Sequence, residues 1–144
     1  MPTETFTQTA STLATPEEVW IALQEPQTWE AIPGVDRVLD PVIDSVGALR
    51  GFSFESVAAG KTYLGQATPA DRVEGESMTW NIETSEINGL LSVQIAPSEA
   101  GSDLTVTLSV ESLGMLSTMF FPVIAGSIGS GFPKAVKGFV AGLD

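Results

Sequence analysis

The sequence predicts an α+β fold in which an antiparallel sheet of about seven strands closes on a long C-terminal helix. A Thr-rich strand pattern comes first, and two short helical patterns follow it. Residues 35–111 then alternate between apolar and polar side chains, which is typical of antiparallel strands with one buried face. Two short helices cannot cover so large an apolar face, so the uncharged segment 112–132 is the element left to cover it.

Seven runs of residues predict the strands. In one of them Met78, Trp80 and Ile82 share a face and polar residues occupy the other face. The pair Asn88-Gly89 lies inside an apolar run, where it predicts either a bulge or a turn. The predicted strands span residues 5–14, 35–44, 49–57, 61–73, 76–84, 87–97 and 102–111.

The two short helices are predicted from their end signals. Thr15 suits an N-cap, and Pro16 suits the first helical position. Glu18, three residues after Thr15, completes a capping-box pattern. Pro26 ends this helix, and the chain can form another turn or two before Pro33 stops it.

The uncharged segment 112–132 raises the alternative of a membrane span, because about twenty apolar residues can cross a bilayer. Its four glycines, its serines and Pro122 make the hydropathy weak, and no basic cluster flanks it. The chain beyond it places Phe132 and Val136 on one side of a helix, with lysines on another side. We therefore predict a long, bent helix that begins between residues 115 and 122 and ends near Gly142.

Composition excludes several classes of function. Six basic residues stand against eighteen acidic ones, a net charge of −12, which argues against binding to a nucleic acid backbone. The chain has no cysteine and no histidine, so disulfides, thiolate nucleophiles and imidazole bases are impossible. We expect no metal and no cofactor. The N-terminus lacks the pattern of a signal peptide, so we expect one cytoplasmic domain over residues 1–144.

One stretch and the order of elements carry a family resemblance. The run P-x-E-V-W-x-x-L-x-x-P-x-x-W, from Pro16 to Trp29, is followed by I-P-G-V at residues 32–35. With the element order over essentially the whole chain, it resembles the START/Bet v 1-like (SRPBCC) superfamily. More narrowly, it resembles the polyketide cyclase/dehydrase and lipid-transport group, and also the G-type subunits of carbon monoxide dehydrogenase.

The resemblance implies a helix-grip fold, in which a curved antiparallel sheet wraps around the C-terminal helix and leaves a cavity between them. Members of the superfamily bind hydrophobic molecules such as lipids, sterols, polyketides and quinones. Some members are cyclases, but there is no universal catalytic motif to transfer to this chain. The resemblance is therefore more specific for the fold than for the function.

Three functions stay open at this stage. We favour binding or carriage of a small hydrophobic ligand, because of the fold resemblance, the apolar C-terminal segment and the absence of histidine and cysteine. A metal-free cyclase, aromatase or dehydratase would have to polarise a carbonyl with Tyr63, Arg50, a glutamate or bound water. An accessory protein that recruits an enzyme to a membrane is the third function. The sequence leaves the oligomeric state open, a monomer included.

Candidate ligand contacts are mostly large apolar residues, whose alternative role is simply to fill the core. Arg50 has the strand parity of Phe52 and Phe54, so it is a candidate anchor for a carboxylate; the alternative is a surface ion pair. Gly126 and Gly129 are candidates for keeping the helix thin beside a ligand. The full set is Trp29, Arg50, Phe52, Phe54, Tyr63, Met78, Trp80, Leu91, Met115, Met119, Phe120 and Val123.

Overall fold

A computed structural model describes residues 3–32, 34–58, 60–114, 118–119 and 121–143. It contains one antiparallel sheet in the strand order β1-β7-β6-β5-β4-β3-β2. The predicted order of one strand, two short helices, six strands and a long helix is confirmed. The elements are β1 (Thr3–Thr12), α1 (Pro16–Ala22), a 3₁₀ helix (Pro26–Ala31), β2 (Arg37–Ile43), β3 (Leu49–Ala58), β4 (Lys61–Val73), β5 (Ser77–Glu83), β6 (Ile87–Pro97), β7 (Ser102–Ser112) and α2 (Phe121–Leu143).

The N-terminus of α1 has the predicted capping box. The Thr15 hydroxyl accepts a hydrogen bond from the backbone N–H of Glu18 at 3.2 Å, and the Glu18 carboxylate accepts one from the N–H of Thr15 at 3.0 Å. These two bonds satisfy N–H groups that have no partner within the helix. Pro26 then begins the 3₁₀ helix, as its fixed φ favours.

The sheet has two chemically distinct faces. Its inner face, which carries Trp80 and Leu91, packs against the helices and holds most of the core. Its outer face is polar along β1 and β7, where hydroxyl groups pair across the strands. The Thr5 and Ser109 hydroxyl oxygens are 3.0 Å apart, and Ser11 donates to the Asp103 carboxylate at 2.7 Å. Period two thus separates a buried face from a wet one.

The prediction of a bulge or turn at Asn88-Gly89 is wrong. Both residues pair in unbroken register with β5 and with β7. A Cβ on Gly89 would lie 3.4 Å from the Ser109 carbonyl oxygen, which is an ordinary contact, and the glycine forms no turn. The turn lies earlier, where the Thr84 hydroxyl accepts the N–H groups of Glu86 and Ile87.

Helix α2 begins within the predicted range and packs along β1. The rings of Phe6 and Phe132 meet edge to face with centroids 6.3 Å apart. Pro133 lies inside α2, where it removes one backbone hydrogen bond. In the part of the chain that the structure describes, no helix is both long and apolar enough to cross a membrane.

Candidate functional site

An apolar cavity lies between the sheet, the 3₁₀ helix and α2. Its volume is about 50 Å³. The inner faces of β6 and β7 form its floor, the 3₁₀ helix forms one wall, and the C-terminal half of α2 forms the other. Its lining residues are Leu23, Thr28, Trp29, Ala31, Ile32, Leu91, Val93, Leu104, Val106, Phe132, Ala135, Val136 and Phe139.

The exposure of the lining residues locates the mouth of the cavity. The four residues that β6 and β7 contribute are all buried. Ala31 is exposed, and Ile32, Ala135 and Phe139 are half-buried. All four of these belong to the two helical walls or follow them directly. The cavity therefore reaches the surface between the 3₁₀ helix and α2.

The chemistry of the cavity is almost purely apolar. Thr28 is the polar residue of the lining, and its hydroxyl donates to the Ala22 carbonyl at 2.8 Å. No lining residue is ionisable. The buried indole N–H of Trp29 is also satisfied, because it donates to the Leu23 carbonyl at 3.0 Å. An uncharged hydrocarbon or aromatic group is what such a surface accommodates at least cost.

Trp29 also belongs to a closely packed cluster of aromatic residues. The Trp29 and Trp80 rings meet edge to face with centroids 5.8 Å apart, and Trp29 stacks on Phe52 at 6.3 Å. Phe52 also contacts Trp80 and Phe54, at 5.6 and 6.4 Å. The ring of Phe54 covers Gly65 on the neighbouring strand, where a Cβ would collide with it. These aromatic residues fill the inner face and support the wall of the cavity.

The predicted contacts other than Arg50 lie in different surroundings. Trp29 and Leu91 line the cavity. Phe52, Phe54, Met78 and Trp80 are buried but do not line it, and Tyr63 is half-buried. Met119 and Val123 are each 68% exposed. Met115 and Phe120 lie outside the described residues.

Arg50 does not follow the alternation of its strand. Val42 pairs with Gly51 while the next residue, Ile43, pairs with Leu49, so Arg50 is the extra residue of a β-bulge. Its side chain turns outward and donates to Asp44 at 2.8 Å, with 45% of the side chain exposed. The expectation of an inward-facing anchor therefore has no geometric basis, and the alternative of a surface ion pair describes Arg50.

The glycines of α2 do not border the cavity. A Cβ on Gly129 would lie 3.3 Å from a ring carbon of Phe6, so Gly129 allows the helix to pack closely on β1. Gly126 is exposed, and a Cβ there would meet nothing within 4 Å. The expectation that these two glycines leave room for a ligand is corrected by this packing.

Some lining residues carry a sequence signal and others do not. The helical period of the C-terminal segment places Phe132, Val136 and Phe139 on one face, and strand alternation places Val93 inside. Thr28, Ala31 and Ala135 are small or polar residues with no distinguishing pattern. They line the cavity only because two distant helical segments meet there.

The acidic residues do not gather near the cavity. Glu55 is half-buried and Glu76 is exposed, and neither belongs to the lining. Among the described residues, no group of acidic side chains could hold a metal ion. A wider groove of about 450 Å³ lies on the outer face between β2 and β5, and its lining includes Asp40 and Glu83. Because both carboxylates are exposed to water, we take the inner cavity as the candidate site.

The fold and the apolar cavity between the sheet and α2 are those of a helix-grip protein of the START/Bet v 1-like superfamily. The chain belongs to the family described as polyketide cyclase / dehydrase and lipid transport, whose sequence profile matches residues 3–143. No curated protein matches the chain with significance.

Solved structures share this fold at low sequence identity. A START superfamily protein from Mycobacterium smegmatis is 14% identical with a TM-score of 0.72, over 97% of this chain and 99% of that one. The Zhui aromatase/cyclase from a Streptomyces species is 11% identical with a TM-score of 0.70, over 97% and 94% of the two chains. A protein from Rhizobium loti is 18% identical with a TM-score of 0.67, over 97% and 96%. None of these three is described as part of a carbon monoxide dehydrogenase, and that narrower resemblance stays a prediction.

Proposed function

We propose that the protein binds and carries a small, uncharged hydrophobic molecule in the cavity between β6, β7 and α2. The observation that carries this proposal is the lining itself, in which every residue but Thr28 is apolar. Water can form few hydrogen bonds with such a surface, whereas each ligand methylene buried there contributes about 0.8 kcal/mol to the free energy of binding. The family to which the chain belongs includes lipid transport in its description, and this supports the same class of ligand.

The volume of the cavity limits how a ligand can enter it. Sites for drug-sized ligands measure roughly 300–1,000 Å³, whereas this cavity measures about 50 Å³. The walls must therefore separate before a lipid- or polyketide-sized molecule can enter. The mouth lies between the 3₁₀ helix and α2, so these two elements are the ones that move.

An enzymatic role has less support in the geometry. A cyclase or dehydratase needs an ionisable or strongly polar group beside the reacting carbonyl. The lining offers only the Thr28 hydroxyl, which is already bonded to a backbone carbonyl. Tyr63 and Arg50, the two side chains considered for this task, do not belong to the lining. The apolar lining suits carriage, whereas catalysis would require an ionisable or strongly polar group that the lining does not contain.

The proposal is tested by ligand titration of a matched pair of variants. Ala135→Trp places a large ring in the cavity wall, and Ala141→Trp adds the same ring at an exposed position of the same helix. We expect an uncharged naphthalene dye to bind the wild type and Ala141→Trp alike, and Ala135→Trp at least about tenfold more weakly.

Native mass spectrometry and solvent extraction of the purified protein would identify a retained molecule. Circular dichroism and melting curves must first establish that both variants are folded. Equal affinity of the two variants would move the binding site away from this cavity. Failure of fatty acid esters, quinones and aromatic polyketides to bind the wild type would refute carriage altogether.

A further inference from the structure

The two edges of the sheet are built differently. At one edge, β2 has two shifts of register against β3 and contains Pro41. Asp40 has a left-handed φ of 45°, which interrupts the extended backbone. Bulges, prolines and charged residues are the devices by which proteins keep an edge strand from pairing with another chain. The β2 edge carries all three.

The opposite edge, β1, carries almost none of these devices. It pairs with β7 over ten consecutive residues without a shift of register. It contains no proline and no glycine, and Glu4 is its single charged residue. On its open side no described strand pairs with it. An antiparallel edge of this kind presents a row of backbone N–H and C=O groups that another strand can satisfy.

Helix α2, which packs on the inner face of β1, does not cover this edge of the sheet. Helix α2 packs on the Phe6 ring, yet Phe6, Gln8 and Ala10 on the inner face remain only half-buried. The outer-face residues Thr5 and Thr9 are exposed. No residue of β1 before its last one is buried, so the strand is reachable along nearly its whole length.

We propose that β1 is a self-association surface, on which a second copy of the chain pairs antiparallel to form one continuous fourteen-stranded sheet. A two-fold axis at Thr7 gives the best register. It places Thr7 opposite Thr7 of the second copy and Thr5 opposite Thr9, and keeps every outer-face residue opposite another. A shift by one residue would set the outer face of one copy against the inner face of the other.

The side chains of β1 favour a second copy of the chain as the strand that pairs with this edge. The outer face of β1 and β7 already forms hydroxyl pairs, with the Thr7 and Thr107 oxygens 3.4 Å apart. A second β1 continues this ladder with identical residues, and such Thr–Thr pairs stabilise cross-strand contacts. The register also fits within residues 3–11, so it does not require the buried Thr12 to rearrange.

The net charge of −12 opposes any association of two copies, but β1 keeps that cost low. In the proposed register Glu4 lies opposite Ala10. The two Glu4 carboxylates are then about 20 Å apart along the strands, at roughly 3.3 Å per residue. This separation exceeds the Debye length of about 8 Å at physiological salt. The dimer should therefore strengthen as salt concentration rises, because salt screens the remaining repulsion.

Because the chain has no cysteine, single substitutions can test the register without interference. Residues directly opposite in an antiparallel pair have Cα atoms about 4.5–5.5 Å apart, which a disulfide can join. Oxidised Thr7→Cys should form a covalent dimer. Thr107→Cys, one strand further in on each copy, should not, because its two sulfurs would lie about three strand spacings apart. A mixture of Thr5→Cys and Thr9→Cys should cross-link as a heterodimer.

Sedimentation equilibrium gives the independent measurement. Thr7→Asp and Thr107→Asp change the charge equally, but only Thr7→Asp sets two carboxylates opposite each other. We expect Thr7→Asp to weaken the dimer at least about tenfold and Thr107→Asp to retain it. A wild type that stays monomeric at high concentration and high salt would overturn the proposal. So would equal cross-linking of Thr7→Cys and Thr107→Cys, or an edge that accepts unrelated extended peptides but no second copy.

Discussion

The guanidinium of Arg72 lies over the ring of Trp20, with 4.8 Å between its central carbon and the ring centroid. The same guanidinium donates to the Gln24 side-chain oxygen at 3.0 Å and to the Leu49 carbonyl at 3.4 Å. The Trp20 indole N–H donates to Glu74 at 3.0 Å. These contacts join α1 to β3 and β4 at the end of the sheet near the start of β3.

We predict that Arg72→Ala lowers the free energy of unfolding by about 2–3 kcal/mol. The Arg72 side chain is 13% exposed, so its removal leaves the Gln24 and Leu49 oxygens without their charged donor. Arg72→Lys should recover little, because an ammonium cannot stack on the indole and form the same fork of bonds. Denaturant unfolding measures both. Glu74→Gln is the control: it keeps an oxygen that can accept the Trp20 indole N–H and removes only the ion pair of a side chain that is 75% exposed, and surface ion pairs contribute about 0–1 kcal/mol.

A second prediction compares the two glycines of α2. Gly129→Leu should destabilise the protein by about 1–3 kcal/mol, because its side chain must displace the Phe6 ring. Gly126→Leu should raise stability by up to about 1 kcal/mol, because it adds helix propensity at an open position. Thermal unfolding of the two variants measures the difference. Equal melting temperatures would contradict the packing of α2 on β1.

A third prediction concerns acid stability. The N–H of Ala48, together with the Arg50 guanidinium, lowers the pKa of Asp44 below its ordinary value of 3.8. A lowered folded-state pKa means that Asp44 stabilises the protein above pH 3.8 and that this contribution is lost as pH falls through the folded pKa. Asp44→Asn should therefore be less stable than the wild type at neutral pH, and the difference should shrink in acid.

Unfolding measured across the acidic range tests this prediction. The variant Arg50→Gln separates the two causes of the lowered Asp44 pKa, the Ala48 N–H and the Arg50 guanidinium. Because the backbone hydrogen bond from Ala48 does not depend on Arg50, this variant should keep part of the pH dependence that Asp44 contributes. A gap between wild type and Asp44→Asn that stays constant with pH would count against the assignment.

A fourth prediction concerns the aromatic cluster behind the cavity. Trp80 is 2% exposed and contacts both Trp29 and Phe52. Trp80→Ala should cost about 3–5 kcal/mol of stability, because the rings around it cannot fully collapse into the space. Leu90→Ala, on the outer face and 44% exposed, should cost well under about 1 kcal/mol. Denaturant titration of the two variants gives both values.

Much of the fold was predictable because its signals are local or periodic. The predicted bounds of β4 and β6 coincide with Lys61–Val73 and Ile87–Pro97. The capping box at Thr15 and the stop at Pro26 depend on neighbouring residues alone. Asn88-Gly89 misled because its dipeptide chemistry favours turns, whereas its neighbours in the sheet require an unbroken strand.

Two β-bulges determine side-chain directions that the alternation of apolar and polar residues along a strand does not predict. The bulge at Arg50 turns that side chain outward to Asp44. A second one, between Pro69 and Asp71, sets Arg72 opposite Met78 on the inner face. Period two assumes an unbroken ladder, and a single extra residue reverses every side chain after it. Sequence reasoning therefore singled out Arg50 and missed Arg72.

By itself, the sequence determined the order of the elements, the identity of the buried strand face and the need for an apolar C-terminal helix to cover it. Only the tertiary structure decided which part of that helix forms the cavity. The predicted wall lay near Met119 and Val123, which are exposed, and the observed wall begins at Phe132. A helix has one apolar stripe along its length, but where it meets the sheet depends on the close approach of Gly129 to Phe6, a contact between residues 123 positions apart.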